Sequence, residues 1–331
     1  MRNAITDVPG ITVGHWTDLR SATGCTVILC EEGAVAGVDV RGSAPGTRET
    51  DLMRPVNLVR EVHAVVLAGG SAYGLDAAGG VMRYLEERKK GFRVRRWRVP
   101  IVGAAVLMDL ALGRGDVRPD AEAGYQACMD ASDGPVAEGN AGAGCGATLG
   151  KALGRKGAVK GGLGTSSERL EDGTLVGAIV AVNAFGEVVD HVTGKTVAGP
   201  RNEDGTGFAS TLERLRAGRS PRSVAGENTT IGVVATSASL TKEGANKVAQ
   251  MAQDGLALAI RPAHTMGDGD VLFALATGRS ADGRRSRGRR RVDVTAIGAV
   301  AAEVVARAVV SAVKKAESLA GVPAVRDLAY G

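Results

Sequence analysis

Aromatic side chains are scarce in this chain of 331 residues, where 4 Phe, 4 Tyr and 2 Trp make up 3% of the composition. A core with so few rings has to be built from Val, Ala, Leu and Ile, and the 48 glycines allow many tight turns and close backbone approaches. The length permits one large domain or two ordinary ones, and either can bury a substantial core. We therefore expect a compact globular chain.

Cysteine is also rare, and its spacing excludes two common kinds of site. Cys25, Cys30, Cys128 and Cys145 form no Cys-x-x-Cys pair, so neither a zinc site nor a disulfide scaffold is indicated, and we expect reduced, partly buried side chains. The N-terminus lacks an apolar signal core, and no stretch reaches the ~20 uninterrupted apolar residues of a membrane span. These absences predict a cytoplasmic protein that does not enter a membrane.

The excess of positive charge, a net +5, is concentrated in two clusters. Residues 88–98 and 279–291 each contain seven Lys or Arg residues. Binding to nucleic acid requires clustered charge together with stacking aromatics or a reading helix, and only Phe92 and Trp97 interleave the first cluster. We interpret both clusters as solvated loops and expect no nucleic-acid partner.

The pattern of apolar residues indicates a mixed α and β chain. Apolar runs predict strands, and three- and four-residue apolar spacing predicts helices. The predicted strands cover 24–40 (two strands around an acidic Gly turn), 62–68, 99–107, 177–183, 231–236 and 271–277. The predicted helices cover 76–90, 119–132, 210–216, 242–259 and 295–318. Between 194 and 228 the composition becomes rich in Gly, Pro and charge, which is typical of a linker.

At Asn228-Thr229 a polar segment meets an apolar strand, and this bond has the features of a self-cleavage site. If it breaks, Thr229 becomes an N-terminus that carries a hydroxyl nucleophile and a free α-amine on one residue. The amine has an ordinary pKa of roughly 7.7–8.0 and can act as a base near neutral pH. Taken alone, however, Asn-Thr-Thr is also a common way to open a strand or a turn.

A second polar cluster, His264 through Asp270, precedes the strand at 271. Because side chains alternate along a strand, Asp268 and Asp270 can point the same way, and neighbouring like charges raise one pKa so that the pair can hold and pass a proton. A solvated Asp-Gly turn is the simpler alternative. A metal site using His264, Asp268 and Asp270 is a weaker third alternative.

Several motifs together resemble one family of self-processing aminopeptidases. It includes the L-aminopeptidase/D-esterases, the β-peptidyl aminopeptidases and the nylon-oligomer hydrolases. The matching motifs span nearly the whole chain: Ile11-Thr12-Val13-Gly14-His15, Leu67-Ala68-Gly69-Gly70-Ser71-Ala72-Tyr73-Gly74-Leu75, Gly161-Gly162-Leu163-Gly164-Thr165, Asn228-Thr229-Thr230-Ile231, and His264-Thr265 through Asp268-Gly269-Asp270.

The resemblance implies a set of catalytic residues. Thr229 matches the family's nucleophile, and Asp268 and Asp270 would orient its amine and hydroxyl. Asn183 matches the family's amide, which would stabilise the oxyanion as the acyl carbonyl becomes tetrahedral. Lys151 matches a site lysine of the nylon-oligomer branch, although an exposed lysine in a basic loop is an equally good interpretation.

The resemblance also implies the fold and assembly. We expect an α+β chain folded as a layered αββα sandwich of the N-terminal-nucleophile hydrolase type, related to the ornithine acetyltransferase-like fold. One domain, 1–331, would be processed into an α segment, 1–228, and a β segment, 229–331, with 194–228 as the linker. No metal or organic cofactor is expected, and family members are commonly tetramers of such α/β pairs, so we expect a homo-oligomer. The chain departs from the family at Met108, or a neighbour, where several members have a site tyrosine.

Three functions remain open from the sequence. The first is an amide hydrolase acting on a small amide or peptide, and the Asp268-Gly269-Asp270 signature resembles the nylon-oligomer branch. The second is an acyltransferase resembling ornithine acetyltransferase, which transfers the acyl group to an amine instead of water. The third is a non-catalytic binding protein with glycine loops that hold a ligand.

Overall fold

The computed structural model describes residues 1–218, 226–280 and 293–329. Within these ranges the helices are α1 (Ala77–Glu87), α2 (Ala121–Met129), α3 (Thr211–Arg216), α4 (Lys242–Ala259) and α5 (Val294–Lys315). The strands are β1 (Thr12–Asp18), β2 (Thr23–Val40), β3 (Thr47–Arg48), β4 (Glu61–Ala68), β5 (Phe92–Val94), β6 (Trp97–Val99), β7 (Val102–Val106), β8 (Thr148–Leu149), β9 (Val159–Lys160), β10 (Gly162–Arg169), β11 (Leu175–Asn183), β12 (Glu187–Val189), β13 (Thr196–Ala198), β14 (Thr229–Thr236), β15 (Ile260–Arg261) and β16 (Val271–Ala276). Short 3-10 helices lie at Ile5–Asp7, Asp51–Met53, Ser71–Asp76, Gly142–Gly144, Lys151–Leu153, Arg155–Gly157 and Val325–Asp327.

The main sheet has the strand order β10-β11-β14-β16-β2-β4-β7-β3, with β1 paired to β2. The long strand β2 belongs to both halves of this sheet. Its first half pairs with β4, its last residues pair with β16, and the register with β4 shifts between Leu29 and Ala34, where Gly33 has a φ of +85°. This irregularity bends the strand, so one strand carries the chain from one half of the sheet into the other.

The two halves of the sheet pack face to face, and each outer face is covered by helices. Ile28 and Leu67 from one half and Ile231 and Phe273 from the other share the central core. The outer face of β11, β14 and β16 packs against α4 and α5, and the outer face of β2, β4 and β7 packs against α1 and α2. The order helix, sheet, sheet, helix confirms the predicted αββα sandwich.

Helix α5 is long and apolar enough to cross a membrane by length and composition. In the most apolar part of this helix, 61% is buried inside the protein. Ala301, Val305 and Val309 lie in the core beside α4 and the sheet. Packing against these elements accounts for the apolar composition of α5, so the helix is weak evidence for a membrane span.

Most of the predicted elements are present, and one prediction needs correction. Helix α4 has the predicted bounds, and the other predicted helices and strands agree within a few residues at each end. The region 24–40 is one bent strand and not two, because the acidic Gly turn is absorbed as an irregularity within β2. Within 194–228, the described residues 194–218 and 226–228 contain β13 and, close to the predicted helix at 210–216, α3.

The cysteines and the first basic cluster agree with expectation. All four cysteines are free and buried, and burial raises their pKa, for Cys25 to about 12. The first basic cluster forms α1's end and an exposed hairpin of β5 and β6, with Arg88 paired to Glu31. Apart from Arg279, the arginines of the second cluster, 279–291, lie outside the described residues.

Candidate active site

The ends of three neighbouring strands bring the predicted residues together. Asn183 is the last residue of β11 and pairs with Thr229, the first residue of the antiparallel strand β14. On the other side β14 runs parallel to β16, and just before these two strands Asn228 forms a parallel bridge with Asp268. Residues that are 46 and 40 positions apart in sequence, Asn183 and Thr229 (229 − 183) and Asn228 and Asp268 (268 − 228), therefore meet at one end of these neighbouring strands because of strand order.

Thr229 lies against the peptide bond that precedes it. Its side chain is buried, and its hydroxyl donates a hydrogen bond of 2.5 Å to the carbonyl oxygen of Asn228. The same carbonyl oxygen accepts the backbone N–H of Gly269 at 2.9 Å. A Cβ at position 269 would lie 2.9 Å from the Thr229 hydroxyl oxygen, so a glycine is needed for this close approach.

The two aspartates have different environments. Asp270 accepts hydrogen bonds from the backbone N–H of Thr230 (2.7 Å) and of His264 (3.0 Å), and its Oδ2 lies 3.0 Å from His264 Nδ1. Asp268 accepts the backbone N–H of Thr265 with Oδ2 at 2.6 Å, while its buried Oδ1 has no hydrogen-bond partner. Burial raises the pKa of Asp268, and the nearby charge of Asp270 raises it further. Asp268 is therefore the carboxylate with an oxygen available for a new donor.

Asn183 and Lys151 are hydrogen-bonded to each other on the β11 side of Thr229. Lys151 Nζ donates to Asn183 Oδ1 at 2.9 Å and to the carbonyl oxygen of Glu227 at 2.8 Å. Asn183 Nδ2 donates to the same Glu227 carbonyl at 3.0 Å and to the Met108 carbonyl at 3.3 Å. Lys151 is buried, which contradicts its interpretation as an exposed loop lysine, and burial lowers its pKa to about 7.

A cleft beside this pair is lined partly by Met108, Lys151, Arg155 and Glu227. Arg155 forms a two-pronged ion pair with Glu227, with Nη2–Oε1 at 2.8 Å and Nε–Oε2 at 3.4 Å. Met108 lies in the cleft wall, and its thioether offers no hydroxyl donor there.

The structure adds three site residues that the sequence analysis did not assign. Glu227 and Arg155 had no motif, because their pairing depends on the fold, whereas Gly269 could have been found from its position inside Asp-Gly-Asp. The metal alternative is not supported: in residues 1–218, 226–280 and 293–329 no group of His, Cys, Asp or Glu is placed to hold a metal ion. His264 uses Nδ1 on Asp270 instead.

Comparison with known proteins identifies the family. The family model of peptidase family S58 matches residues 3–326. The chain belongs to peptidase family S58. It is a hydrolase that acts on amide bonds, and this membership favours the enzyme over the non-catalytic alternative.

Relatives within and around the family agree with this assignment. An uncharacterized aminopeptidase of Mycobacterium leprae is 47% identical, over 97% of this chain and 92% of that protein. A 6-aminohexanoate-oligomer endohydrolase of a Kocuria species is 32% identical, over 93% of this chain and 85% of that protein. The L-aminopeptidase D-Ala-esterase/amidase of Ochrobactrum anthropi, described as a variant of the Ntn hydrolase fold, superposes with a TM-score of 0.73 at 23% identity, over 97% of this chain and 88% of that one. The last likeness concerns the fold, and it agrees with the αββα layers.

Proposed function

We propose that this S58 hydrolase cleaves its own chain between Asn228 and Thr229 and then uses Thr229 as an N-terminal nucleophile on amide substrates. The observation that carries the proposal is the environment of the Asn228 carbonyl. Its oxygen receives the backbone N–H of Gly269, and the Thr229 hydroxyl lies against the same group. A donor aimed at a carbonyl oxygen stabilises the negative charge that forms when a nucleophile attacks the carbon.

In the first stage, the Thr229 hydroxyl oxygen attacks the Asn228 carbonyl carbon. The bond between that carbon and the Thr229 nitrogen breaks, the hydroxyl proton ends on the nitrogen, and an ester joins Asn228 to the Thr229 oxygen. Water then hydrolyses the ester to a carboxylate and restores the hydroxyl. We assign Asp268 as the carboxylate that receives the new α-ammonium. Its backbone forms a β-bridge with Asn228, and its Oδ1 has no hydrogen-bond partner.

In the second stage, the free α-amine of Thr229 accepts the proton of its own hydroxyl as the oxygen attacks a substrate amide. The amine then passes the proton to the leaving nitrogen, and water hydrolyses the acyl-enzyme. The backbone N–H of Gly269 would donate to the oxyanion, as it does to the Asn228 carbonyl in the uncleaved chain. Asn183 Nδ2, which the resemblance assigns to the oxyanion, donates to the carbonyl of Glu227, one residue earlier, and would hold the matching carbonyl of the substrate while Lys151 orients Asn183 through Oδ1. Asp270 fixes the start of β14 through the Thr230 N–H and so positions the nucleophile.

The substrate class is part of the proposal. Relatives are named as aminopeptidases and as a 6-aminohexanoate-oligomer endohydrolase. We therefore expect turnover of peptides or of ω-amino-acid oligomers. A panel of L- and D-aminoacyl amides, β-peptides and 6-aminohexanoate oligomers separates these classes, and supplying acetylornithine with glutamate tests the acyltransferase alternative.

Intact mass spectrometry and N-terminal sequencing test the cleavage. Active protein should contain two chains, one of which begins with Thr229. The variant Thr229→Ala should give one full-length inactive chain, and Thr230→Ala, at the adjacent residue, should still be cut at the same bond. Active protein that contains no chain beginning with Thr229 would refute the proposal.

The cellular location and the oligomeric state of the protein are also part of the proposal. We propose that the protein works in the cytoplasm as a homo-oligomer of α/β pairs. Light scattering on the cleaved protein would measure its mass, and a mass of one α/β pair would contradict the oligomer.

A further inference from the structure

The three residues before the cleavage site run alongside Gly267 through Gly269, with Gly226 in a turn at a φ of +78° and Asn228 in a β-bridge. The backbone N–H of Gly226 donates to the carbonyl oxygen of Gly267 at 3.2 Å, and the N–H of Gly269 donates to the carbonyl of Asn228 at 2.9 Å. Between these bonds Asn228 and Asp268 form a parallel bridge. Backbone hydrogen bonds therefore hold this segment beside the Asp-Gly-Asp residues at both of its ends.

Side chains of the site bind Glu227, the middle residue of the segment 226–228. The carbonyl oxygen of Glu227 accepts hydrogen bonds from Lys151 Nζ and Asn183 Nδ2, and both of these side chains are buried. The carboxylate of Glu227 pairs with both prongs of the Arg155 guanidinium. Such a fork matches a carboxylate in geometry as well as in charge.

The segment 226–228 also covers the nucleophile, Thr229. Thr229 is only 4% exposed, and its hydroxyl lies against the carbonyl of Asn228. A substrate can reach Thr229 only after residues 226–228 have left this position. The nucleophile attacks one carbonyl in self-cleavage and another in turnover, so an acyl group that replaces 226–228 meets the same backbone donors and the same side chains.

After residues 226–228 have left, the charges that remain in the cleft wall favour the binding of a negatively charged side chain. Once Glu227 has left, Lys151 and Arg155 remain in the cleft wall. Asp109 in that wall is engaged by the Thr23 hydroxyl at 2.7 Å and the Gly70 N–H at 2.7 Å, and Asp268, whose charge also acts on Lys151, is the carboxylate assigned to the α-ammonium of Thr229. An acyl group with a carboxylate is therefore attracted there, and one with an ammonium group is repelled.

We propose that the acyl subsite of the mature enzyme binds a peptidyl group and selects a carboxylate side chain, held by Arg155, on the residue that precedes the one whose carbonyl is attacked. This inference rests on the proposed self-cleavage at Thr229. The segment 226–228 is then the first substrate of the site. The substrates that we expect are peptides cut at an internal bond two residues after an acidic residue, as the bond after Asn228 follows Glu227.

Three p-nitroanilides test the selection: acetyl-Gly-Glu-Asn, acetyl-Gly-Gln-Asn and acetyl-Gly-Lys-Asn. Arg155 is 57% exposed, so the discrimination should be moderate. We expect kcat/KM to fall about fivefold from the Glu to the Gln peptide and about tenfold from Glu to Lys. In Arg155→Glu the order should invert, and in Arg155→Gln the Glu and Lys peptides should be hydrolysed about equally.

The matched control is Arg169→Glu, which makes the same charge change on an exposed arginine at the far end of β10 and β11 from Asn183. It should keep the preference for the Glu peptide. Intact mass is recorded for every preparation. A single full-length chain overturns both the cleavage and the subsite. Two chains that turn over the amide panel but show equal rates, or none, on the three peptides overturn the subsite alone.

Discussion

The backbone N–H of Gly269 donates a hydrogen bond to the carbonyl oxygen of Asn228 at a distance of 2.9 Å. This bond joins the Asp-Gly-Asp segment to the bond that we propose is cleaved. It has two consequences: the carbonyl is held in the orientation of an oxyanion site, and the absence of a side chain at 269 leaves room for the Thr229 hydroxyl.

Gly269→Ala should slow self-cleavage strongly. An added Cβ would lie 2.7 Å from the Ala44 carbonyl oxygen and 2.9 Å from the Thr229 hydroxyl oxygen, so the donor and the nucleophile have to move apart. Loss of one oxyanion donor costs about 100-fold or more in rate. The measurement is the time course of chain cleavage by gel or mass spectrometry. Gly207→Ala, where the nearest atom is 3.8 Å from an added Cβ, is the control and should be cleaved normally.

Asp268→Asn should lower activity without lowering the stability of the fold. Burial and the charge of Asp270 raise the pKa of Asp268, so the folded state keeps that proton to higher pH than the unfolded state does. Ionised Asp268 therefore lowers stability as pH rises above about 3.9 and through the raised pKa of the folded chain. A neutral Asn removes this cost, and at pH 7 the melting temperature should stay the same or rise while turnover falls about 100-fold or more.

Asp270→Asn should behave differently, because its carboxylate accepts hydrogen bonds from the backbone N–H groups of Thr230 and His264. Weakening these buried, charge-assisted bonds should cost about 1–3 kcal/mol of folding free energy. Urea unfolding at pH 7 compares the two variants. Equal destabilisation of both would contradict the assignment of Asp268 as the available carboxylate.

Lys151 should give turnover a falling limb as pH rises. In the uncleaved chain burial lowers its pKa to about 7, and the protonated form is the better donor to Asn183 Oδ1, so loss of that proton should lower kcat/KM on the alkaline side of the profile. The α-amine of Thr229 gives a rising limb near its ordinary pKa of roughly 7.7–8.0, and the two together give a bell-shaped profile. Lys151→Met should lower kcat/KM and remove the falling limb alone. A falling limb that persists in this variant would assign it to another group.

The packing of α4 on α5 can be tested at Gly255. An added Cβ would lie 2.3 Å from the Ala302 carbonyl oxygen and 2.8 Å from Val305 Cβ, so Gly255→Ala should destabilise the fold by at least about 2 kcal/mol. Gly244→Ala is the control in the same helix, since its nearest atoms are 3.6 Å away and alanine favours helix formation. Thermal unfolding measures both. If Gly255→Ala melts no lower than Gly244→Ala, the close contact between these helices is wrong.

Local pattern was sufficient for much of the fold. Helix α4 occupies the predicted residues because its apolar side chains recur at three- and four-residue spacing, and β4 and β16 are continuous apolar runs. The bent strand β2 was not predicted, because whether a Gly turn ends a strand or bends it depends on the partners that the strand finds. Asp270 similarly contacts Thr230 and not Thr229, a difference that only strand register determines.

By itself the sequence determined the elements, the Thr229 motif and the Asp-Gly-Asp segment, since each depends on residues close together in the chain. Only the tertiary structure decided that Lys151 is buried, that Arg155 holds Glu227, and that the segment 226–228 covers the nucleophile. These contacts join residues far apart in sequence. They exist because β11, β14 and β16 are neighbours in one sheet, and strand order cannot be read from local spacing.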